Sequence, residues 1–110
     1  MGLTFKENVP DLRNSRCFDL VRRLRWLGHQ VEVADPLASA AEVEREHGLK
    51  VTEPDSRRYD LVVGAVAHSE YRDLADDRLA GLLAPGGTLA DLKGIWRDRL
   101  LDPSIDRWTL

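Results

Sequence analysis

A single cysteine, Cys17, stands among the 110 residues, so the chain can neither form an internal disulfide nor build a metal site from cysteines. This scarcity is typical of a reducing compartment. No apolar run approaches the roughly 18 residues that a membrane span requires. Lys6 and Glu7 stand where a secretory signal would carry its apolar core. We therefore expect a cytoplasmic protein with no membrane partner and no metal.

An excess of one charge is also lacking, since 16 Lys and Arg residues are balanced by 19 Asp and Glu residues. The two signs are interleaved along the chain, whereas proteins that bind duplex nucleic acid usually gather a basic excess on one face. No nucleic-acid partner is therefore expected. Hydrophobic residues make up 43% and charged residues 32%, a balance typical of a single small globular domain over residues 1–110.

Strand-like and helix-like patterns alternate along the sequence. Apolar residues recur at helical spacing from Cys17 to Leu27, with Asn14 or Ser15 as the expected N-cap and Gly28 as the stop. Further helices are expected over residues 39–47 and 74–83, strands over 30–34, 49–51, 60–67 and 88–92, and a turn over 84–87. This order predicts an α/β fold, a Rossmann-like three-layer domain with a mostly parallel sheet.

Ligands of open α/β sheets bind beyond the carboxyl ends of the strands, which here indicates the loops at residues 6–14, 67–71 and 93–96. The first loop, residues 6–14, carries Lys6 and Arg13 just before a helix, as an anionic phosphate ligand would require. The same charges also fit a solvated loop in which Asp11 or Asn14 caps the helix. No GxGxxG motif is present, so a self-sufficient NAD site is not expected.

Three further side chains each allow a functional or a structural role. His68 either contacts a ligand or a neighbouring domain, or is a hydrogen-bonded loop histidine. Trp26 is either partly covered by Arg22 or marks a surface that meets another domain or subunit. Cys17 lies on the apolar stripe of the first helix, where we expect it to pack in the core. No serine has a nucleophile-elbow sequence, so a hydrolytic triad of Ser15, His68 and Asp11 is not expected, and with Cys17 in the core no catalytic residue is assigned to this chain.

Five segments of the chain together carry a resemblance to a known family. They are GLTFKENVPDLRNSR at 2–16, VEVADP at 31–36, YDLVVGAVAHSEYRDL at 59–74, LAPGGTLADLKGIW at 83–96 and RWTL at 107–110. In this order they resemble the C-terminal, UDP-binding domain of the UDP-glucose/GDP-mannose dehydrogenase family, over nearly the whole chain. The AVAHSEY and DLKG segments look more like the branch that acts on UDP-N-acetylhexosamines.

The resemblance implies an NAD-dependent enzyme that oxidises C6 of a nucleotide sugar twice, giving a uronic acid for polysaccharide synthesis. It places NAD in an N-terminal half and the catalytic cysteine in a central segment, and neither segment is within this chain. NAD is therefore not expected to bind this chain alone. Position by position, the resemblance implies that Phe5 and Lys6 meet the UDP-sugar and that Lys93 holds its nucleotide part. It also implies that Arg13 reaches NAD across a domain interface.

The chain departs from the family pattern at its first strand. In the family an apolar strand of about five residues, an ordinary strand length, leads into the GLTFK segment, whereas here Met1 stands where most of that strand belongs. This truncated strand is expected between the strands at residues 30–34 and 60–67, so backbone groups would lose partners there. Three alternatives are then open: an altered sheet, a homodimer that pairs with another copy, or a marginally stable fragment.

Two functions remain open from the sequence. In the first, the chain is the UDP-sugar-binding domain of a dehydrogenase, acting with a separate N-terminal NAD-binding half. In the second, it is a non-catalytic truncated remnant or an interaction module with an idle nucleotide crevice. Whether an active enzyme is assembled depends on the partner half, so the sequence leaves enzymatic activity open.

Overall fold

A computed structural model describes residues 1–54 and 59–110, in which helices and parallel strands follow one another. The elements are α1 (Cys17–Trp26), α2 (Ala40–His47), β1 (Tyr59–Gly64), α3 (Ser69–Arg72), α4 (Asp76–Gly81), β2 (Leu83–Asp91) and β3 (Asp106–Thr109). Within these described ranges, no helix has the length and apolar character needed to cross a membrane.

The three strands form one parallel sheet in the order β1-β2-β3. The expected turn at residues 84–87 is wrong, because this segment belongs to β2. Tyr59 pairs with Leu83 and Leu61 pairs with Thr88, so the register shifts and the extra residues of β2 are accommodated as a bulge. Strand β3, which periodicity did not predict, is short and largely exposed. The predicted α/β class with a parallel sheet is confirmed.

Residues 1 and 2 extend the sheet on the other side of β1. The nitrogen of Met1 donates to the carbonyl of Val63, and the carbonyl of Met1 accepts from the N–H of Ala65, each at 2.8 Å. The N–H of Gly2 donates at 2.8 Å to the carbonyl of Ala34. Residues 1 and 2 therefore lie between the two neighbours expected for the first strand and are hydrogen-bonded to both.

The strands expected at residues 30–34 and 49–51 are reduced to one parallel bridge between Val33 and Val51. A cavity of about 580 Å³ lies between residues 30–33 and β1, and it is also lined by α1 and by residues 1–3. Leu61 in β1 borders this cavity and is 40% exposed. The first half of β1 is therefore incompletely covered.

The first helix begins slightly later than its cap residues predicted. Arg16 occupies the N-cap position without a side-chain cap bond, so neither Asn14 nor Ser15 is the N-cap. The Ser15 hydroxyl still accepts from the N–H of Cys17 at 3.3 Å, while it donates to the carbonyl of Leu3 at 2.6 Å. This second bond ties the start of α1 to the segment that follows residues 1 and 2.

Helix α2 agrees closely with the sequence. The Ser39 hydroxyl accepts from the N–H of Glu42 at 3.3 Å, and Gly48 ends the helix in the left-handed conformation at φ 65°. The helix expected over residues 74–83 is present but shorter, as α4, and a further short helix, α3, precedes it in a segment that was expected to be a loop. The Tyr71 hydroxyl donates at 3.0 Å to the carbonyl of Ala34, which ties α3 to the other half of the molecule before α4 begins.

Two apolar clusters flank the sheet. The first joins α1 and α2 to Val33 and consists of Leu3, Leu12, Phe18, Val21, Val33, Val43 and Leu49. The second lies against β1 and β2 and consists of Val62, Tyr71, Leu79, Leu82, Leu83, Leu89 and Trp96. Trp96 is fully buried, and its indole N–H donates at 2.7 Å to the carbonyl of Tyr71. Its ring lies directly over Gly64.

Candidate functional site

Three chain segments meet at the carboxyl edge of the sheet. Lys6 follows the residue pair at the chain start, His68 follows β1, and Lys93 follows β2. Neighbouring strands lie about 4.8 Å apart, so the segments that carry Lys6 and Lys93 leave the sheet roughly 10 Å from each other, on either side of β1. Both lysines are exposed.

A buried carboxylate, Asp35, holds the start of this site. One oxygen accepts from the N–H groups of Leu3 at 2.7 Å and Thr4 at 3.2 Å, and the other accepts from Leu37 at 2.8 Å and Ala38 at 3.1 Å. Burial raises the pKa of Asp35. The hydrogen bonds from Leu3, His68 and Leu37 outweigh it and lower the pKa below its usual value. Asp35 is therefore a charged anchor inside the fold.

The imidazole of His68 completes this anchor. Its Nε2 lies 2.9 Å from Oδ2 of Asp35 and 3.1 Å from Oγ1 of Thr4, while its Nδ1 accepts from the N–H of Asn8 at 3.0 Å. The ring is fully buried and both nitrogens are hydrogen-bonded. Of the two sequence alternatives, the hydrogen-bonded loop histidine is the one that the geometry supports.

Phe5 and Lys6 lie on the outer side of this network. The N–H of Phe5 donates to the carbonyl of Asp11 at 2.7 Å, and the Thr4 hydroxyl donates to the carbonyl of Lys6 at 3.0 Å. The Phe5 side chain is 55% exposed. The backbone is thus held while the ring and the ammonium group stay open to solvent.

The turn that carries Lys93 is held by a second strand-end carboxylate, Asp91. Its oxygens accept from the N–H groups of Ile95 at 3.1 Å and Trp96 at 2.8 Å. Gly94 takes φ 69° in this turn, a conformation that glycine adopts without strain. Asp91 is 3% exposed. Lys6 therefore follows a backbone segment fixed by one buried aspartate, and Lys93 lies within a turn fixed by another.

Arg13 lies on the first loop and points into solvent, with its side chain 85% exposed. Its Nε donates at 3.1 Å to Oδ1 of Asp11, and this hydrogen bond lowers the pKa of the Asp11 carboxyl. Phe5, Lys6 and Arg13 thus share one loop. Across residues 1–54 and 59–110, no hydrogen bond or ion pair links that loop to Lys93, which stands on its own turn.

The surroundings of Cys17 and Trp26 bear on the roles predicted for them. Cys17 is half-buried against the first apolar cluster, as expected for a core residue. Trp26 is 73% exposed, and the guanidinium above its ring, 4.4 Å from the centroid, belongs to Arg23 rather than Arg22. In the described part of the chain, no group of three or more His, Cys, Asp or Glu side chains is arranged to hold a metal ion.

The role of Asp35 was missed by sequence reasoning, although a signal was present. Asp35 and Pro36 directly follow the strand expected over residues 30–34, and their residue types are also those of an ordinary turn. His68, its partner, is 33 residues away in the chain. No local pattern connects two residues at that separation.

Comparison with known proteins agrees with this geometry. Residues 1–98 match the model of the UDP-glucose/GDP-mannose dehydrogenase family, UDP binding domain. The chain is 44% identical over 94 residues to UDP-N-acetyl-D-glucosamine 6-dehydrogenase of Pseudomonas aeruginosa, which is 84% of this chain and 22% of that protein. The enzyme of the same name from Salmonella typhi is 38% identical over 94 residues, with the same coverage.

A third relative, Protein CapL of Staphylococcus aureus, is 34% identical over 111 residues, 100% of this chain and 26% of that protein. The chain thus spans about a quarter of the length of the curated relatives it matches. The match to the family model runs through both lysine segments and the two aspartates that hold them. The chain therefore belongs to the UDP-glucose/GDP-mannose dehydrogenase family and corresponds to its UDP-binding domain.

Proposed function

We propose that residues 1–110 act as one domain that binds the diphosphate of a UDP-sugar at the carboxyl edge of the sheet. Lys6 and Lys93 donate to the phosphate oxygens, and Phe5 packs against the ligand beside Lys6. The observation that carries this proposal is the pair of exposed lysines, each next to or within a segment fixed by a buried aspartate. A diphosphate requires convergent cations, and charge-assisted hydrogen bonds to it are strong.

The sugar is proposed to be an N-acetylhexosamine. The names of two relatives, at 44% and 38% identity, specify UDP-N-acetyl-D-glucosamine as substrate. The AVAHSEY segment resembles the same branch of the family. In this proposal the UDP-sugar is oxidised at C6 to a uronic acid for polysaccharide synthesis, in the cytoplasm.

The oxidation itself is proposed to need a separate N-terminal half. NAD, held by that half, supplies the electron acceptor. Arg13 fits a role toward it, because its guanidinium is largely exposed on the same loop as Lys6 and presents several N–H donors to a phosphate. The thiol of Cys17 lines the cavity beside α1 rather than the lysine edge, so the chain is proposed to bind substrate without oxidising it.

Calorimetric titration with UDP and with UDP-N-acetylglucosamine tests the binding proposal. We expect measurable binding to the unmodified chain and a loss of roughly tenfold or more in affinity for Lys6→Ala and for Lys93→Ala, because each removes a charged donor. Lys50→Ala is the matched control, since Lys50 is exposed and precedes the Val51 bridge at the opposite edge of the sheet. That variant should bind as the unmodified chain does.

Flat titrations of the folded chain would reject the proposal and favour the interaction module with an idle crevice. The division of labour has its own assay, in which NAD and a UDP-sugar are added to the chain and NADH absorbance is followed. We expect no NAD reduction. Turnover by this chain alone would show that the oxidising groups are not confined to another half.

A further inference from the structure

We propose that His68 and Asn8 form a clasp that fixes residues 4–8, so that Phe5 and Lys6 meet the ligand in one geometry. His68 is in this proposal a positioning residue, which acts on the ligand through the loop and does not touch it. The proposal rests on the proposed UDP-binding function and assigns the part of the molecule that preorganises that site. It concerns the connection between the loop and the carboxyl end of β1.

Asn8 takes part in the clasp both as a hydrogen-bond donor and as an acceptor. The N–H of Asn8 donates at 3.0 Å to Nδ1 of His68. The side-chain oxygen of Asn8 in turn accepts from the N–H of Ser69 at 2.9 Å and from its hydroxyl at 3.1 Å. Asn8 has φ 61°, a left-handed conformation in which asparagine is among the better tolerated residues.

The same imidazole reaches the other end of the loop at Thr4. Nε2 of His68 lies 3.1 Å from the Thr4 hydroxyl, and Thr4 is 1% exposed. The Thr4 hydroxyl donates to the carbonyl of Lys6, while the Thr4 N–H donates to Asp35. One buried ring therefore joins both ends of a five-residue segment whose middle, Phe5 to Glu7, is exposed.

The hydrogen-bond directions fix the tautomer of the ring. Because the N–H of Asn8 donates to Nδ1, that nitrogen carries no proton, and the ring proton lies on Nε2, facing the Asp35 carboxylate. Each nitrogen therefore serves a different end of the network. A substitution that retains only one of the two positions should separate the role in the loop from the role in the fold.

Two replacements of His68 make this separation. The side-chain oxygen of asparagine lies near the position of Nδ1, so His68→Asn keeps an acceptor for Asn8 and loses the contacts with Asp35 and Thr4, while Thr4 keeps its own bonds to Lys6 and Asp35. The terminal amide of glutamine lies near the position of Nε2, so His68→Gln keeps the contact with Asp35 and loses the acceptor for Asn8. We expect UDP affinity within about threefold of the unmodified chain for His68→Asn and roughly tenfold weaker for His68→Gln. A merely structural histidine would give affinities that follow the thermal midpoints of the two variants, and that result would overturn the proposal.

Amide hydrogen exchange at Asn8 provides a readout that needs no ligand. We expect slow exchange in the unmodified chain and in His68→Asn, fast exchange in His68→Gln, and unchanged exchange at Val62 in β1 as the measure of folding. If the unmodified chain fails to bind UDP, the proposed function fails while the exchange pattern still tests the clasp. Protection of Asn8 that survives His68→Gln would reject the clasp.

An exposed pair of asparagines keeps the test open should either His68 variant unfold. Asn8 and Asn14 are both exposed and both have a positive φ, 61° and 60°, so glycine is compatible with either backbone. Asn8→Gly removes the two bonds to Ser69 and should weaken UDP binding at least threefold with an unchanged fold. Asn14→Gly, the matched control, should bind normally. Equal affinities for the two variants would contradict the clasp.

Discussion

Oδ2 of Asp35 lies 2.9 Å from Nε2 of His68, and neither side chain has any exposed surface. Asp35 follows Val33 of the bridge to Val51, and His68 follows β1, so this bond joins the carboxyl ends of two strands across residues 1–4. The same carboxylate also accepts from the backbone of that middle segment. The fold at the ligand-facing edge therefore depends on one buried charge and its donors.

Replacing Asp35 by Asn should destabilise the protein by about 1–3 kcal/mol at neutral pH, because the amide cannot accept from every donor around it. The pH dependence has a definite sign. The pKa of Asp35 is lower in the folded protein than its ordinary value of 3.8. Its contribution to the free energy of unfolding is therefore present above about pH 4 and lost as the pH falls through the folded pKa.

Chemical denaturation from pH 7 down to pH 2 measures this effect. The decline in unfolding free energy at acid pH should be smaller in Asp35→Asn than in the unmodified chain. Asp98→Asn changes an exposed carboxyl and serves as the control. Parallel pH profiles for the unmodified chain and Asp35→Asn would show that this carboxylate is not the acid-sensitive anchor.

Asp91→Asn should weaken UDP binding by roughly three- to tenfold, although Asp91 itself is buried and meets no ligand. The loss of one of its two backbone bonds, to Ile95 or to Trp96, loosens the turn that presents Lys93. Calorimetry with UDP on Asp91→Asn, with Asp98→Asn as the control on the same segment, checks this. Unchanged affinity in a folded Asp91 variant would contradict the role of the turn.

Gly64→Ala should destabilise the protein by about 1–3 kcal/mol through overpacking. A Cβ at this position would lie 2.8 Å from Cη2 of Trp96 and closer still to Cζ3, and the buried indole has no room to move away. Gly81→Ala is the opposite control, because nothing lies within 4 Å of its Cβ position and alanine favours the helix. Thermal unfolding should show a lower midpoint for Gly64→Ala and an equal or higher one for Gly81→Ala.

An apolar, β-branched extension of five residues ahead of Met1 should raise the thermal midpoint. Its backbone would continue the pairing of residues 1 and 2, and its side chains would enter the cavity of about 580 Å³ lined by α1 and Leu61. Each Val or Leu fully buried there is worth roughly 1.5–3 kcal/mol. A five-residue Gly and Ser extension is the control and should leave the midpoint unchanged.

Light scattering on the same samples tests the homodimer expected from the truncated strand. If each copy in a dimer covers the cavity of the other copy, the chain with the apolar extension should become a monomer. The control should then stay a dimer. A monomer in both samples would reject the homodimer. Equal thermal midpoints for the two extensions would show that the cavity does not take a strand.

Periodicity and caps predicted the helices well where local signals are complete. Helix α2 has both its Ser39 cap and its Gly48 stop, and the structure begins and ends it there. The buried face of α1 was less well predicted, because Phe18 is buried while Leu27 is 54% exposed. Which side of an amphipathic helix is covered depends on its neighbours, and here the neighbour is Val43 of α2 and its surroundings.

The sequence indicated segments with the composition of strands, but it did not predict how far each segment pairs. Residues 84–87 have the composition of a turn, yet they join β2 because Tyr59 lies opposite Leu83 and the bulge accommodates the surplus. Residues 30–34 have the composition of a strand, yet in the described part of the chain their strand pairing is limited to the bridge at Val33, and on the other side Gly2 donates to Ala34. Pairing partners, which are distant in sequence, decide how much of a strand forms.

The sequence by itself determined the α/β class, the family and the two exposed lysines at strand ends, because these depend on local pattern and on residue identity. Only the tertiary structure decided how those lysines are held. The bonds from Asp35 to His68 and from His68 to Asn8 join residues 33 and 60 positions apart. Such bonds form only after the parallel strands bring their carboxyl ends to one edge, because no local interaction can align groups so far apart along the chain.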